Sequence, residues 1–163
     1  MPTQVGGGIR DIKTIEQLFK AGIDRVILTT SAVEDPRLVK EACRRFGESV
    51  IVSIDVREGW VSIRGWQQET RLTAIEFAQT MLQYGVKRFI HTDISRGSTL
   101  TEPNFTAIAE LITTIRRPVI AAGGISSLLH LKMLNQLGAE GAIVGKALYT
   151  GDINLKQALA AVS

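Results

Sequence analysis

The chain has 163 residues, 45% of them hydrophobic, with a net charge of +3 and a single cysteine. That length points to one domain, residues 1–163, with enough apolar material for a sizeable core. Basic residues form no run longer than the pairs at 44–45, 87–88 and 116–117, which argues against a nucleic-acid groove and fits a small anionic ligand better.

Six strands alternating with helices are predicted. The first, residues 3–5, precedes a helix that Asp11 caps, that buries Ile12, Ile15, Leu18 and Phe19, and that stops at Gly22. The second strand is 25–29. Asp35 and Pro36 then open a helix burying Leu38, Val39, Ala42 and Phe46, with Gly47 as its stop. Cys43 falls inside that helix, so a packed thiol in a reducing compartment is expected. The third strand, 50–56, leads into a loop or short hairpin through Glu58, Gly59 and residues 60–64. A helix from about Thr73 buries Phe77, Ala78, Met81 and Leu82 and ends at Gly85. The fourth strand is 88–94, and a helix from about Asn104 buries Ile108, Leu111, Ile112 and Ile115. Strands at 118–122 and 141–144 and a last helix at 155–161 complete the chain. No apolar run reaches membrane-spanning length and no charged leader precedes one, so a soluble cytoplasmic protein without membrane contact is expected.

An internal repeat organises these elements. Residues 5–33 align without a gap onto 121–149, at a constant offset of 116. Gly7/Gly123, Gly8/Gly124, Ile9/Ile125, Leu18/Leu134, Gly22/Gly138 and Ile27/Ile143 are identical pairs. Each copy reads as strand, glycine turn, amphipathic helix, strand, the unit of a parallel sheet. At roughly 25–35 residues per βαβ step, the offset holds about four units. The fold class is therefore α/β: a TIM-type (β/α) barrel with an internal twofold repeat. Such barrels typically need about 250 residues, so an incomplete barrel with six of the eight units is expected.

Chemistry in such barrels gathers where strands end. Gly7 and Gly8 follow the first strand, Gly123 and Gly124 the fifth, and Gly145 and Lys146 the sixth. Glycine there lets backbone N–H groups approach an anion. A lone cluster could simply make a tight turn; two on equivalent strand ends favour a ligand with a phosphate at each end. Asp55 ends the third strand on the face shared by Ile51 and Ser53, which reads as the small, polar interior face. It is read as a proton-transfer group rather than a loop cap. Thr92 and Asp93 are neighbours, and alternation does not decide which points inward. His91 reads as a structural histidine. Trp66 lies in a polar stretch where it either stacks on a flat heterocycle or packs against a neighbouring loop.

The runs QVGGGIR, GIDRVIL, SIDV, RGW, TDIS, VIAAGGISS and VGKALYTG occur in this order across the whole chain. In them the sequence resembles the phosphoribosylformimino-5-aminoimidazole carboxamide ribotide isomerases of histidine biosynthesis. The resemblance implies an Amadori rearrangement of an aminoaldose to an aminoketose, on a bis-phosphorylated substrate and with no metal or cofactor. One acid opens the ribose ring by protonating its oxygen, and one base takes the proton from the neighbouring carbon. By the resemblance Asp55 is the proton donor, Thr92 a polar active-site residue, and Arg10 and Trp66 grip the substrate. Gly123, Gly124, Gly145 and Lys146 match one phosphate site, and Gly7, Gly8 and Thr30 the other.

There are departures from the family pattern. The chain starts at the family's third strand, so the first two units and the strand-one aspartate that serves as base are not expected here. Where the family reads Ser-Arg-Asp-Gly-Thr, this chain has Ser95, Arg96, Gly97, Ser98 and Thr99. Thr29 stands where a glycine is expected, opposite Gly145 in the repeat; a β-branched residue suits neither close backbone approach nor positive φ. Two alternatives accompany the isomerase reading: an inactive fragment that keeps a phosphate site, and a partial barrel that assembles with a partner chain. Self-association through exposed strand edges is expected.

Overall fold

In the computed structural model, which describes residues 1–96 and 102–162, the repeat is carried in the backbone. Strand β1 (Gln4–Gly6) leads to helix α1 (Ile12–Lys20), strand β2 (Arg25–Leu28) and a single helical turn α2 (Thr30–Glu34). Later in the chain β7 (Val119–Ala122) leads to α6 (Leu128–Gln136), β8 (Gly141–Ile143) and α7 (Lys146–Thr150). Helices α1 and α6, and turns α2 and α7, begin and end at residues exactly one repeat offset apart. Their caps match too. The Asp11 side chain accepts from the Thr14 N–H, and that of Ser127 from the His130 N–H, each at extended backbone angles. A cap of this kind stabilises its helix by about 1 kcal/mol.

Between the two copies lie α3 (Pro36–Phe46), β3 (Val50–Arg57), β4 (Trp60–Ile63), β5 (Gln68–Thr73), α4 (Ala74–Gln83), β6 (Phe89–Asp93) and α5 (Phe105–Ile115); α8 (Leu155–Val162) closes the described chain. The predicted caps hold at Asp35 and Asn104, and Thr73 forms a reciprocal capping box with Glu76.

The sheet order is β1-β2-β3-β6-β7-β8, parallel throughout. The strand count exceeds the expected six because β4 and β5 form an antiparallel hairpin off the end of β3. The short helical turns α2 and α7 add to the helices expected from the sequence. Val50, Val52 and Ile54 pack into the main core between sheet and helices, with Leu38, Val39, Ala42, Phe77 and Met81. The opposite face carries a small cluster of its own: Ile51, Ile90, Ile120 and Ala122, with Ile27 against them. The sheet curls around that second face. Gln4, Arg25 and Ile27 at one side and Ile120, Ala142 and Ile143 at the other line one cavity of about 520 Å³. This is an incomplete TIM-type barrel: among the described residues β1 pairs only with β2, and β8 only with β7. Cys43 is buried as expected, and burial pushes its thiol pKa up to about 11.

Candidate active site

Asp55 reaches the mouth of the curled sheet on the predicted face. Ser53, two residues back on the same face, donates from Oγ to Asp55 Oδ1 at 2.9 Å. Trp66 donates from Nε1 to Asp55 Oδ2 at 2.8 Å. The β4–β5 connection brings the indole there through three successive residues with positive φ: Arg64 (54°), Gly65 (62°) and Trp66 (70°). Trp66 thus stands against the acid itself with 47% of its surface exposed. The two sequence-level alternatives for it, stacking and loop packing, did not include this contact. The Ser53 contact follows from its spacing of two from Asp55 along the strand, which sets both side chains on one face.

A cavity of about 810 Å³ opens at this point. Asp55 and Trp66 line it together with Arg10, Gly7, Gly8, Thr29 and Thr30. Five of the residues expected to act together besides Asp55 are therefore gathered: the two grippers and the three-residue phosphate cradle. Gly7 (φ 101°) and Gly8 (φ 71°) need glycine for their backbone angles, and a Cβ at either would meet nothing within 4 Å. Thr30 Oγ accepts from the Arg64 N–H at 2.8 Å, while the Arg64 guanidinium holds Glu34 at 2.8 Å, so the hairpin is tied across the cradle's edge.

Thr29 corrects one expectation. Its φ is −124° and ψ −92°, close to the −102° and −101° of Gly145. Positive φ is required at neither, and both lie outside the ordinary α and β regions. What distinguishes the two is the side chain: a Cβ at Gly145 would enter open space, and Thr29 fills the equivalent space.

The other cluster does not line the large cavity. Gly123 (φ 91°) and Gly124 (φ 75°) follow β7, and Gly145 and Lys146 begin α7 after the neighbouring β8. Here glycine is demanded by packing as well: a Cβ on Gly123 would lie 2.6 Å from the Asp93 carbonyl oxygen, and one on Gly124 2.3 Å from that of Glu102.

Strand register settles Thr92 against Asp93. Thr92 pairs with Asp55 on one side and Ala122 on the other, so it shares their interior face. Asp93 points the other way and is buried. Its Oδ1 accepts from the Ser95 N–H at 3.1 Å and from the Ser95 hydroxyl, and its Oδ2 from Asn104 Nδ2 at 2.9 Å. Burial alone would raise its pKa, but the Ser95 and Asn104 hydrogen bonds and the Arg96 charge outweigh that and hold it below the ordinary carboxylate value. His91 lies on the same outer face, buried, with Nδ1 unpartnered among the described residues. Burial lowers its pKa against the opposing charges of Asp93 and Asp55. The departure at Gly97, Ser98 and Thr99 lies outside the described residues.

Among the described residues, no group of three or more His, Cys, Asp or Glu side chains is placed to hold a metal ion, and no helix is long and apolar enough to cross a membrane.

A family model described as histidine biosynthesis protein matches residues 1–154. A protein of Dehalococcoides mccartyi named 1-(5-phosphoribosyl)-5-((5-phosphoribosylamino)methylideneamino) imidazole-4-carboxamide isomerase is 59% identical over 163 residues, which is 100% of this chain and 69% of that protein. Identically named proteins of Rippkaea orientalis and Roseiflexus castenholzii are 52% and 45% identical, over 99% and 98% of this chain and 64% and 68% of their own lengths. The chain spans about two thirds of the length of the curated relatives it matches.

Proposed function

Because the chain belongs to the histidine biosynthesis protein family, we propose that it binds a ribotide with a phosphate at each end and supplies, from Asp55, the proton that opens the ribose ring of an aminoaldose on its way to an aminoketose. The observation that carries this reading is the cavity of about 810 Å³ in which Asp55, Trp66, Arg10 and the Gly7–Gly8 turn converge. What supports Asp55 as the general acid is a carboxyl group lining the cavity beside the residues proposed to hold the sugar phosphate.

In this reading Gly7, Gly8 and Thr30 hold one phosphate through backbone N–H groups and a hydroxyl, and Gly123, Gly124, Gly145 and Lys146 hold the other. Arg10 pairs with anionic oxygens near the first. Trp66 stacks on the planar imidazole, and Thr92, inward beside Asp55, offers a hydroxyl to the sugar. The partner is a small molecule, with no nucleic acid, and the place of action is the cytoplasm.

The described residues lining the cavity include two carboxylates, Asp55 and Glu34, and Glu34 is engaged by Arg64. A base to take the carbon proton is thus not evident at this mouth, and general acid–base groups contribute about 10²–10⁴-fold each. The expectation for the purified chain is binding without detectable turnover. Titration with the bis-phosphorylated aminoaldose, followed by tryptophan fluorescence, is the test. A saturable change should appear, vanish in Trp66→Phe (which keeps Trp60), and require about tenfold or more higher concentration when one phosphate is removed from the ligand. No change at millimolar ligand sinks the binding reading. Turnover abolished by Asp55→Asn would show that the base lies within these residues.

A further inference from the structure

Asp93 is buried on the side of the sheet away from the cavity, yet its contacts converge on the Gly123–Gly124 turn. Through its carboxylate it binds both ends of the connection between β6 and α5, Ser95 at the start and Asn104 at the close. Arg96 repeats the tie. Its Nη1 donates to the carbonyls of Glu102 (3.3 Å) and Pro103 (3.4 Å), and its Nε lies 3.6 Å from Asp93 Oδ2. Asn104 also caps α5, accepting from the Ala107 N–H at 3.2 Å. The clasp therefore fixes where the Glu102 carbonyl stands, and that carbonyl occupies the space a Cβ on Gly124 would need. The Asp93 carbonyl does the same at Gly123 while accepting from the Arg96 N–H at 3.2 Å. Two carbonyls set by one clasp thus form the wall against which the Gly123–Gly124 turn is moulded. At Gly7 and Gly8 there is no such wall, since nothing lies within 4 Å of a Cβ there.

We propose that Asp93 is a positioning residue for the Gly123–Gly124 phosphate cradle: by clasping Ser95 and Asn104 it seats the Asp93 and Glu102 carbonyls that shape this turn, and the repeat-equivalent Gly7–Gly8 cradle is independent of it. This rests on the reading of the two glycine turns as phosphate sites. A hydrogen-bonded carboxylate of this kind holds its partners with charge-assisted bonds, roughly twice as strong as neutral ones. Losing it releases both ends of the connection at once.

The experiment is a titration of the whole chain with inorganic phosphate, read at the amide resonances of Gly123 and Gly124 and, in the same sample, of Gly7 and Gly8. Asp93→Ala should weaken phosphate at Gly123 and Gly124 by about tenfold, equivalent to about 1.4 kcal/mol, and leave Gly7 and Gly8 within about twofold. The exchange Asp93→Asn with Asn104→Asp reverses donor and acceptor, keeps a capping oxygen at 104, and should restore affinity to within about threefold. A merely structural role would not give this selectivity or this rescue. Should Asp93→Ala fail to fold, Asn104→Ser keeps the cap and removes only the amide donor, and should weaken the same cradle selectively by about threefold. Unchanged affinity at Gly123 and Gly124 in these variants, or equal weakening at both cradles with no rescue, overturns the proposal. Absence of phosphate shifts at Gly123 and Gly124 in the unaltered chain is a different result, and overturns the phosphate reading on which it rests.

Discussion

Thr29 and Gly145, one repeat apart, hold nearly the same backbone conformation, (−124°, −92°) and (−102°, −101°), although one is β-branched and the other has no side chain. The two turns therefore enter their short helices at similar backbone angles, and at this position differ in the side chain. Exchange of the two residues should move anion affinity without moving the backbone. Thr29→Gly is expected to strengthen phosphate binding at the Gly7–Gly8 turn several-fold, and Gly145→Thr to weaken it at the Gly123–Gly124 turn by a similar factor; before either change the second turn is expected to be the tighter. Phosphate titration of each variant checks this, and an anion held only at the unaltered Thr29 side would count against it.

Gly8 and Gly124 have almost equal φ, 71° and 75°, but opposite surroundings. Alanine at Gly8 meets only the left-handed backbone penalty, about 1–2 kcal/mol. At Gly124 the new methyl group would also lie 2.3 Å from the Glu102 carbonyl oxygen, which must shift. Gly124→Ala should therefore cost at least about 2 kcal/mol more than Gly8→Ala in urea unfolding. Equal losses would mean that the β6–α5 connection yields freely.

His91 makes stability depend on pH. Its folded-state pKa lies below the ordinary histidine value because burial disfavours the charged ring. Between that lowered value and about 6.5 the unfolded chain binds the proton and the folded chain does not, so stability falls as pH falls, by at most about 1.4 kcal/mol per unit. Its contribution is fully present above about pH 7. The Asp93 carboxyl, also lowered, adds a loss of the same sign only at more acidic pH, below its ordinary range near 4. Urea midpoints at pH 7.5 and 5.5 should differ in the parent and converge in His91→Leu. A parent midpoint that does not change over this range would contradict the account.

The edges bear on association. β1 and β8 each have one unpaired side among the described residues, and neither carries Pro or Lys to discourage pairing. Beside β8 an apolar groove of about 310 Å³ runs between α6 and α8, lined by Leu131, Leu134, Val144 and Leu155. Ile143 and Leu155 remain 46% and 59% exposed. In sedimentation at micromolar concentration the chain is expected to run as a dimer or larger, or to aggregate. A stable monomer with a cooperative melt and no hydrophobic-dye binding would show that the open sheet seals itself.

Much of this architecture was legible in the residues because helices here announce both ends. Asp11, Asp35 and Asn104 cap where a polar side chain meets apolar periodicity, and Gly22, Gly47 and Gly85 stop it. The hairpin was only half legible. β5, Gln-Glu-Thr-Arg-Leu-Thr, is mostly exposed and pairs through its backbone, so it has no apolar alternation to read. The turns α2 and α7 are too short to develop a period. At the site, Asp55 was placed by the alternation of an otherwise apolar strand. Thr92 and Asp93 could not be separated that way, because the helix-facing side of β6 carries two buried polar residues, Asp93, which tertiary partners satisfy, and His91, whose Nδ1 has none among the described residues. The Trp66–Asp55 contact needed three consecutive left-handed residues, only one of them glycine, for which composition offers no signal.

Asp55 and Trp66 stand eleven residues apart on one continuous stretch running from the end of β3 into the hairpin. Their contact forms within that stretch, but the loop that carries Trp66 is seated by two bonds to the neighbouring turn, from the Arg64 N–H to Thr30 Oγ and from the Arg64 guanidinium to Glu34. The carboxylate and its indole are consequently coupled to the turn after β2. Moved onto the matching strand of another barrel, the stretch would arrive aligned only where the neighbouring strand is followed by a hydroxyl and a carboxylate in the places of Thr30 and Glu34.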